Sequence, residues 1–440
     1  MRRSFRLWSL APEAWTRLRT LTAGSPLLPN LQELICSWTS PESTAQILLT
    51  IASTLRLLDI RLPCSFPHEE DRRAVWDASY QMFLSSAFSI APNLTTLHLP
   101  AHKKSAEVLC SSIAHLQHLR VLVFSSMDTI SVAALRALST LPALKRICLG
   151  RIAWTAPVDP PIAEFHSLEE LEIVSHLQVS SYNFSEIFSS SRLRSIYIRS
   201  YSWDLLPWSF QRTCDMWAHR FPSLTSLSCC LSTFVEGVAS AQPISQIIKP
   251  LFKTQTITHV TLYPLWTGYF TVSEEDLSQI ATAWPRLTTL ELGSDRVIRR
   301  VVPIVEAHSG SLSAGALSII AALCPLLQTL QLGYVQMSDP ALADAEQQAS
   351  AASEHRLERL CIDQLAIDAA DIPRVARLVD RLFPDLLSLS EREREMMEGE
   401  MWTLWDAVDA CQVARRRPGR GLPGLLGMYW RTFNSVAVGR

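Results

Sequence analysis

The sequence predicts an α/β solenoid, one repeating array in which short parallel β-strands alternate with helices. Three observations lead to this fold class. The phrase LxxLxL recurs along the chain, an apolar stripe with helical spacing stands before several of its copies, and a proline often separates the two. Self-similarity with a period of about 20 to 50 residues is typical of repeat architectures.

The strands are predicted from phrases such as LTTLEL at 287–292, in which every second residue is apolar. Alternation with a period of two indicates a strand with one buried face. The first apolar residue of each phrase is used here as the marker of its repeat. Most markers lie 24 or 25 residues apart early in the chain and 29 to 33 apart later, with insertions expected before Leu94 and Leu327. The markers are Leu31, Leu55, Leu94, Leu119, Leu144, Leu168, Leu193, Leu224, Ile257, Leu287, Leu327, Leu357 and Leu386.

The helices are predicted from the residues that precede the strands. Apolar residues stand ten, seven, six and three places before Leu287, and the same offsets are apolar before Leu224 and Leu327. Before Leu287 they are Leu277, Ile280, Ala281 and Trp284. Such spacing forms one stripe of an α-helix. Ser273 and Asp276 have the spacing of a capping box at the start of that helix.

Proline marks the junction between each helix and its strand. Seven markers have a proline two places before them, in phrases such as FPSL and WPRL. Because proline disfavours the helical conformation of the preceding residue, it ends the helix and starts the strand. One helix and one strand cannot bury their apolar faces alone, whereas stacked copies can. We therefore expect about twelve irregular repeats in one array, with concave parallel strands and convex helices.

The array is expected to span residues 27–390, with an N-terminal partial repeat or cap at 1–26 and a capping helix and basic flexible tail at 391–440. Terminal repeats need caps because they would otherwise expose the core. In the first cap, Leu18 and Leu21 are in register with a truncated repeat. The stripe of the C-terminal capping helix consists of Met397, Met401, Leu404, Val408 and Cys411.

The composition narrows the class of protein. Hydrophobic residues make up 48% of the chain and charged residues 19%, which excludes a mainly disordered protein. With 40 basic and 42 acidic residues, no nucleic-acid partner is expected. The uncharged stretch 309–338 falls into the repeat register, so we expect no membrane span. Ten cysteines without a CxxC pair predict reduced thiols, buried at Cys36 and Cys324, and a cytoplasmic or nuclear protein.

The LxxLxL phrase with a helix between copies resembles the leucine-rich-repeat superfamily over residues 27–390, which implies a horseshoe-shaped solenoid. The phrases SPLLPNLQEL, FPSL, WPRL and FPDL resemble the repeat regions of fungal F-box proteins. In that family the F-box binds the adaptor of a cullin ubiquitin ligase and the repeats hold the substrate. Here the repeats begin too early to leave room for an F-box, so only the substrate-holding half is expected. A cullin-ligase adaptor is a partner only if an F-box lies upstream.

The chemical motifs are incomplete. The segment HSGSLSAG at 308–315 resembles a nucleophile elbow around Ser313, but Ser311 replaces its first glycine and no strand is expected before it. We therefore predict a flexible insertion there. His115 and His118 have the spacing of metal ligands, but no cysteine or carboxylate joins them, which favours surface histidines. No catalytic residue, cofactor or metal is expected.

The candidate binding residues are those that the strands point away from the core, at even offsets after each marker. Tyrosine, arginine and histidine at such positions are typical of protein-binding surfaces. The predicted partner-binding residues of the concave face are Glu170, Glu172, Tyr197, Arg199, His259 and Tyr263. Cross-strand packing without a partner is the alternative. Trp203 and Trp208, in the loop after the Leu193 strand, either form a structural lid or line the rim of that face.

The leading hypothesis is a monomeric, non-enzymatic scaffold that recognises a protein partner, as a substrate receptor of the F-box type that lacks its F-box. A truncated or mis-started fragment of an F-box protein is the second hypothesis. An enzyme or GTPase regulator built on the same scaffold is the third. The reading frame upstream of Met1 would separate the first two.

Overall fold

The computed structural model describes residues 4–6, 12–23, 25–38, 43–61, 70–100, 110, 112–124, 129–152, 163–175, 188–200, 207–231, 242–264, 270–293, 312–337, 339–348, 355–387 and 400–416. The chain divides into two compact units, and each is described by itself. The first comprises Met1–Leu205, Asp215–Leu224 and Leu231–Thr233, and the second Leu206–Cys214, Thr225–Cys230 and Phe234–Arg440.

The first unit is built on parallel strands. Its strands are β1 (Ser4–Arg6), β2 (Glu33–Ser37), β3 (Leu57–Arg61), β4 (Thr96–Leu99), β5 (Val121–Phe124), β6 (Thr129–Ile130), β7 (Arg146–Leu149), β8 (Arg151–Ile152), β9 (Ala163–Glu164), β10 (Glu170–Ser175), β11 (Phe188–Ser189) and β12 (Ser195–Ser200). The order in its main sheet is β1-β2-β3-β4-β5-β7-β10-β12, while β6 pairs with β8 and β9 with β11. Its helices are α1 (Pro12–Leu21), α2 (Ser43–Leu48), α3 (Glu70–Ile90) and α4 (Val132–Ser139).

The second unit has the same mixed α/β character. Helix α5 (Pro207–Arg220) contributes residues to both units. The strands that follow are β13 (Ser226–Leu231), β14 (Gln242–Pro243), β15 (His259–Pro264), β16 (Phe270–Thr271), β17 (Thr289–Leu292), β18 (Leu312–Ser313), β19 (Thr329–Met337) and β20 (Arg359–Ile367). The order in the sheet is β13-β15-β17-β19, with both β18 and β20 paired to β19. The helices are α6 (Ile244–Ile248), α7 (Glu274–Ala283), α8 (Gly315–Leu323), α9 (Asp339–Gln348), α10 (Ile372–Leu382) and α11 (Glu400–Arg416).

The repeat markers lie in the core, as the sequence predicts. Every one of them is exposed by 5% or less. The helical stripe before Leu287 is also confirmed, since all four of its residues are fully buried. The capping box at the start of α7 is present, with reciprocal hydrogen bonds between Ser273 and Asp276. Cys36 and Cys324 are buried as predicted, and burial raises the pKa of each thiol to about 12.

The junction between helix and strand is a tight turn that recurs in both units. The backbone N–H of the marker donates to the carbonyl three residues earlier, as from Leu287 to Trp284 at 3.1 Å. The next two N–H groups share one carbonyl of the preceding repeat, as Thr288 and Thr289 do with Thr258, at 2.8 and 3.2 Å. Proline therefore stands at the second position of a β-turn, for which its fixed φ is suited. This explains why it recurs two places before the marker.

The junction before β20 uses a different acceptor. His355 stands where seven other repeats have proline, and only 1% of it is exposed. The N–H of Leu357 donates to His355 Nδ1 at 3.1 Å, so the imidazole replaces the carbonyl of the other junctions. The ring packs edge-on against Phe383, with centroids 5.1 Å apart. Burial lowers the pKa of His355, and the neighbouring backbone of Cys324 opposes this only in part.

We predict that His355 makes the protein less stable in mild acid. Below about pH 6.5, the ordinary pKa of histidine, the His355 imidazole is protonated in the unfolded chain but stays neutral in the folded chain. Its contribution to stability is therefore complete above that pH and is lost as the pH falls towards the lowered folded pKa. In His355→Asn, whose amide oxygen is a neutral acceptor, this part of the pH dependence should disappear. Urea unfolding at about pH 7.5 and about pH 5.5 measures the difference.

The control for this prediction is His115→Asn, which changes an exposed histidine of the first unit. It should keep the pH dependence of the wild-type protein. The same loss of stability in acid for wild type and His355→Asn would contradict the assignment of a neutral, accepting imidazole to the junction.

Several local expectations are wrong. Leu21 is 81% exposed and not in register, because successive steps of three residues along α1 turn it away from the buried Trp15. The insertion expected before Leu94 contains helix α3, which buries Tyr80 and Phe83. Cys230, expected to face solvent like the other even positions of β13, is 2% exposed.

Two further expectations concern secondary structure. Ser313 is itself the second residue of the short strand β18, which pairs with β19, and its hydroxyl donates to Glu274 at the start of α7. The part of the expected flexible insertion that the structure describes, from 312 onwards, is therefore regular. Before Leu168 and Leu193, the described residues form β9 and β11 instead of the end of a helix.

The helix predicted near the C-terminus is present as α11, which packs against α10. Leu404, Val408 and Cys411 of the predicted stripe are buried, together with Trp405. Met397 and the basic tail lie outside the described residues, as does the side chain of Met401. The helix predicted there is therefore present and packs against α10, while its role as a cap stays a prediction.

Candidate protein-binding surfaces

The predicted binding residues of the first unit lie on the solvent side of its sheet. Glu170 is exposed, and Glu172, Tyr197 and Arg199 are half-buried. The residues between them point into the core, with Ile196 fully buried and Ile198 1% exposed. The predicted alternation is therefore confirmed for β10 and β12.

Ion pairs cross the neighbouring strands on this face. Arg146 on β7 lies 3.5 Å from Glu170 and 3.0 Å from Glu172. These side chains are partly exposed, so such pairs contribute at most about 1 kcal/mol of stability each. Arg146 occupies the second position after its marker, and the same parity rule would have found it. We name Arg146, Glu170, Glu172, Tyr197 and Arg199 the first-unit surface.

Tyr197 and Arg199 form the aromatic and cationic part of the first-unit surface. The guanidinium of Arg199 lies 5.6 Å from the centroid of the Tyr197 ring. Tyr197 is in register with Glu172 of the adjacent strand. Tyrosine and arginine are among the residues that contribute most of the binding free energy in protein interfaces, and an arginine over a tyrosine ring makes a cation–π contact.

A thiol lies at the edge of the first-unit surface but is not poised for chemistry. Cys148 is in register with Glu172, and 7% of it is exposed. Burial, together with the nearby Glu172 carboxylate, raises the pKa of Cys148 to about 12. The thiol is therefore protonated at neutral pH and is a poor nucleophile.

The second unit also presents its predicted residues to solvent. His259 is exposed and Tyr263 is half-buried, whereas Val260 and Leu262 are exposed by 0% and 3%. The imidazole of His259 lies between two threonine hydroxyls, 2.8 Å from that of Thr258 and 3.3 Å from that of Thr288. This is the cross-strand packing that the sequence left as the alternative for His259.

Tyr263 belongs to a polar network that crosses four strands. Its hydroxyl donates to Glu291 Oε2 at 2.5 Å, and Thr261 donates to the same oxygen at 3.1 Å. On the next strand Gln331 is only 4% exposed, and its Nε2 donates to Asp363 Oδ1 at 2.9 Å. We name Tyr263, Glu291, Gln331 and Asp363, together with His259, the second-unit surface.

Register explains how the second-unit network forms. Thr261, Glu291, Gln331 and Cys361 occupy one row across β15, β17, β19 and β20. Two residues further along these strands come Tyr263, Gly293, Gly333 and Asp363. A Cβ on Gly293 would lie 2.5 Å from Asp363 Oδ2, so this glycine leaves the room that the Asp363 carboxylate occupies. Sequence reasoning missed Glu291, Gln331 and Asp363, although each lies at an even offset from its marker.

The predicted residues thus fall on two surfaces, one in each unit. Trp203 lies outside the described residues, and of Trp208 the structure describes only the backbone, in the first turn of α5. Neither their role as a lid nor as a rim is tested. His115 and His118 are both exposed.

Among the described residues, no three histidine, cysteine, aspartate or glutamate side chains are grouped so that they could hold a metal ion. None of the helices in the described part of the chain is long and apolar enough to cross a membrane. No protein-family model matches the sequence, and no curated protein is significantly similar to it.

Proposed function

We propose that this chain is a leucine-rich-repeat solenoid that acts as a non-enzymatic scaffold for recognising a protein partner. One observation carries the proposal. The inward positions of successive strands are filled mostly by leucine, isoleucine and valine, with Cys36, Phe124 and Cys229 as exceptions, whereas most outward positions vary from strand to strand among charged, polar and aromatic residues. A uniform core beneath a varied, solvent-facing ladder is the arrangement that repeat proteins use for binding surfaces.

The more specific proposal is a substrate receptor of the F-box type, of which these repeats form the substrate-holding half. It rests on the resemblance of phrases such as FPSL and WPRL to fungal F-box repeats. A monomeric protein of the cytoplasm or nucleus fits this role. The thiols of Cys36, Cys148 and Cys324, whose pKa values are raised to about 12, are protonated at neutral pH, which supports a binding function over nucleophilic catalysis at these residues.

We predict that truncation of Tyr197 or Arg199 weakens partner binding without loss of fold. Each of Tyr197→Ala and Arg199→Ala should cost about 2 kcal/mol of binding free energy, since aromatic and arginine anchors dominate interfaces. The melting temperature should change little, because both side chains lie on the solvent side of the sheet and outside its core. A partner captured from cell extract with the wild-type chain and then purified provides the ligand for the comparison.

The matched control is Arg136→Ala, which removes an exposed arginine from helix α4, away from the sheet face. It should bind the partner like the wild-type protein. Equal affinity of all four proteins, or a fall in melting temperature that parallels the loss of binding, would assign Tyr197 and Arg199 to cross-strand packing.

A further inference from the structure

Basic residues line the amino-terminal edge of the main sheet in the first unit. The residue after each marker donates its backbone N–H to the carbonyl of the residue after the preceding marker, at 2.8 Å in every step from β2 to β12. These residues therefore form one continuous row across the strands. In order, the row reads Gln32, Arg56, Thr95, Arg120, Lys145, Glu169 and Arg194.

The cations of this row face solvent. All four are exposed, and so is Arg192, which stands two residues before Arg194. Neighbouring strands lie about 4.8 Å apart, so the five steps from Arg56 to Arg194 span about 24 Å. We name Arg56, Arg120, Lys145, Arg192 and Arg194 the basic row.

The second unit has the same backbone row without this charge. Its steps from β13 to β20 use the same hydrogen bonds, at 2.8 to 2.9 Å. When the residue before each marker is also counted, the first unit has five cations and one carboxylate, whereas the second has two of each. The second-unit row reads Thr225, Thr258, Thr288, Gln328 and Glu358.

This comparison shows that the junction does not require the positive charge. Cations near the end of a helix are stabilising, and helices end before the junction in both units, as α4 does at Ser139 and α7 at Ala283. The second unit nevertheless forms the same turns with threonine and glutamine in the row. The helix ends and the turns therefore leave the surplus of cations in the first unit unexplained.

The basic row already holds one carboxylate of the chain itself. Lys145 Nζ donates to Glu169 Oε1 at 2.7 Å. This hydrogen bond lowers the pKa of Glu169, and the charges of Lys145, Arg194 and Arg192 act in the same direction. The electrostatic field along the row thus stabilises a carboxylate, which is an observation independent of the count of charges.

The chemistry of the row distinguishes between acidic ligands. The carboxylates of the next row, Glu170 and Glu172, are paired with Arg146, so they do not account for the surplus. Single-stranded nucleic acids are bound with aromatic side chains on which bases stack, and the first-unit row contains no aromatic residue. The chain as a whole carries a net charge of -2, which disfavours a duplex. Carboxylates of a polypeptide remain as the fitting ligands.

Resting on the recognition function proposed above, we propose that the basic row binds an extended, acidic segment of the protein partner. The segment runs across the strands along the amino-terminal edge of the sheet. Arg56 and Arg120 stand two strands apart, about 10 Å, which is also the length of three residues of extended chain. Carboxylates at every third residue would therefore meet successive cations and accept charge-assisted hydrogen bonds from them.

The test uses a fluorescein-labelled peptide with glutamate at every third position on a glycine and serine background. Fluorescence anisotropy measures its binding to the full-length chain. The version with glutamine in place of glutamate should bind at least about tenfold more weakly. Because salt screens exposed charges, an increase from about 50 to about 300 mM salt should also weaken the glutamate peptide.

The double variant Arg56→Gln, Arg120→Gln should lower the affinity for the glutamate peptide about tenfold. The matched control is Arg286→Gln, Arg356→Gln, which removes two exposed arginines from the junctions of the second unit. The control loses the same charge and should stay within about twofold of the wild-type affinity. Thermal melting reports whether each variant is folded, and Arg192→Gln, Arg194→Gln replaces the first double variant if that variant does not fold.

Three outcomes would overturn the basic row as a site for an acidic polypeptide. They are an equal loss of affinity in the two double variants, no binding of the glutamate peptide at low salt, and tighter binding of a labelled single-stranded DNA oligonucleotide at the same residues. A captured partner that depends on Tyr197 but not on Arg56 and Arg120 would refute the basic row and leave the recognition function standing.

Discussion

Replacement of Leu171 by alanine is expected to lower the free energy of unfolding by about 2–5 kcal/mol. Leu171 is 1% exposed and lies in β10 between Ile147 of β7 and Ile196 of β12, its partners in register. The strands on both sides are fixed by backbone hydrogen bonds, such as those from Glu169 and Glu170 to the Lys145 carbonyl. The cavity therefore cannot collapse easily, which favours the upper part of the range.

The measurement is urea unfolding followed by far-UV circular dichroism. Glu170→Ala, one residue earlier on the same strand, is the matched control. Its side chain is exposed and paired only with the partly exposed Arg146, so its loss should cost less than about 0.5 kcal/mol. A loss below about 0.5 kcal/mol for Leu171→Ala would mean that the repeat register is wrong.

The repeated part of the fold could be predicted because the same pattern of apolar residues recurs at the same offsets in several repeats. A leucine at one position proves little, but burial of Leu168, Leu193 and Leu287 at the same offset follows from one shared register. Proline was correctly placed at the junction, although its role as second residue of a β-turn required the hydrogen bond between Leu287 and Trp284. Features that occur in only one repeat cannot be checked against other repeats in this way.

Helix α3 has no counterpart in the other repeats, and it was not predicted from the sequence. Tyr80, Phe83, Leu84 and Ala87 have helical spacing in the sequence and are buried. No other repeat has these residues at the same offsets, so the sequence predicts only an insertion there. His355 had no sequence signal at all, because a histidine at a proline position gains meaning only when the N–H of Leu357 is seen to need an acceptor.

The sequence predicts which face of each strand carries the candidate binding residues. It does not predict which residues of the neighbouring strands they contact. Because side chains alternate between the two faces of a strand, Tyr197 and Tyr263 lie on the same face as the residues two places before them. Which residues they meet depends on diagonal contacts between strands and on side-chain length. The hydrogen bond from Tyr263 to Glu291 joins two adjacent rows of the sheet, a diagonal contact that periodicity in one strand does not reveal.

Loss of the Asp276 carboxylate is expected to be as damaging as a cavity in the core, at about 3–5 kcal/mol for Asp276→Ala. Asp276 is 1% exposed and joins two repeats. Its Oδ2 accepts from the N–H of Ser273 at 2.8 Å, and its Oδ1 accepts from the N–H of Ser245, at the start of α6, at 3.1 Å. Alanine would keep the N-cap bond to Ser273 Oγ but remove the side-chain half of the capping box of α7. It would leave both N–H groups without this acceptor, each at a cost of about 1–3 kcal/mol.

Two further variants make this expectation specific. Asp276→Asn retains one carbonyl oxygen and the shape of the side chain, so its destabilisation should be about half that of Asp276→Ala. Glu275→Ala changes the neighbouring, exposed acid of the same helical turn and should cost less than about 0.5 kcal/mol. Urea unfolding of the three variants measures this order. If Glu275→Ala proved as harmful as Asp276→Ala, the effect would come from the negative charge at the start of α7, and the carboxylate would not act as a clamp between repeats.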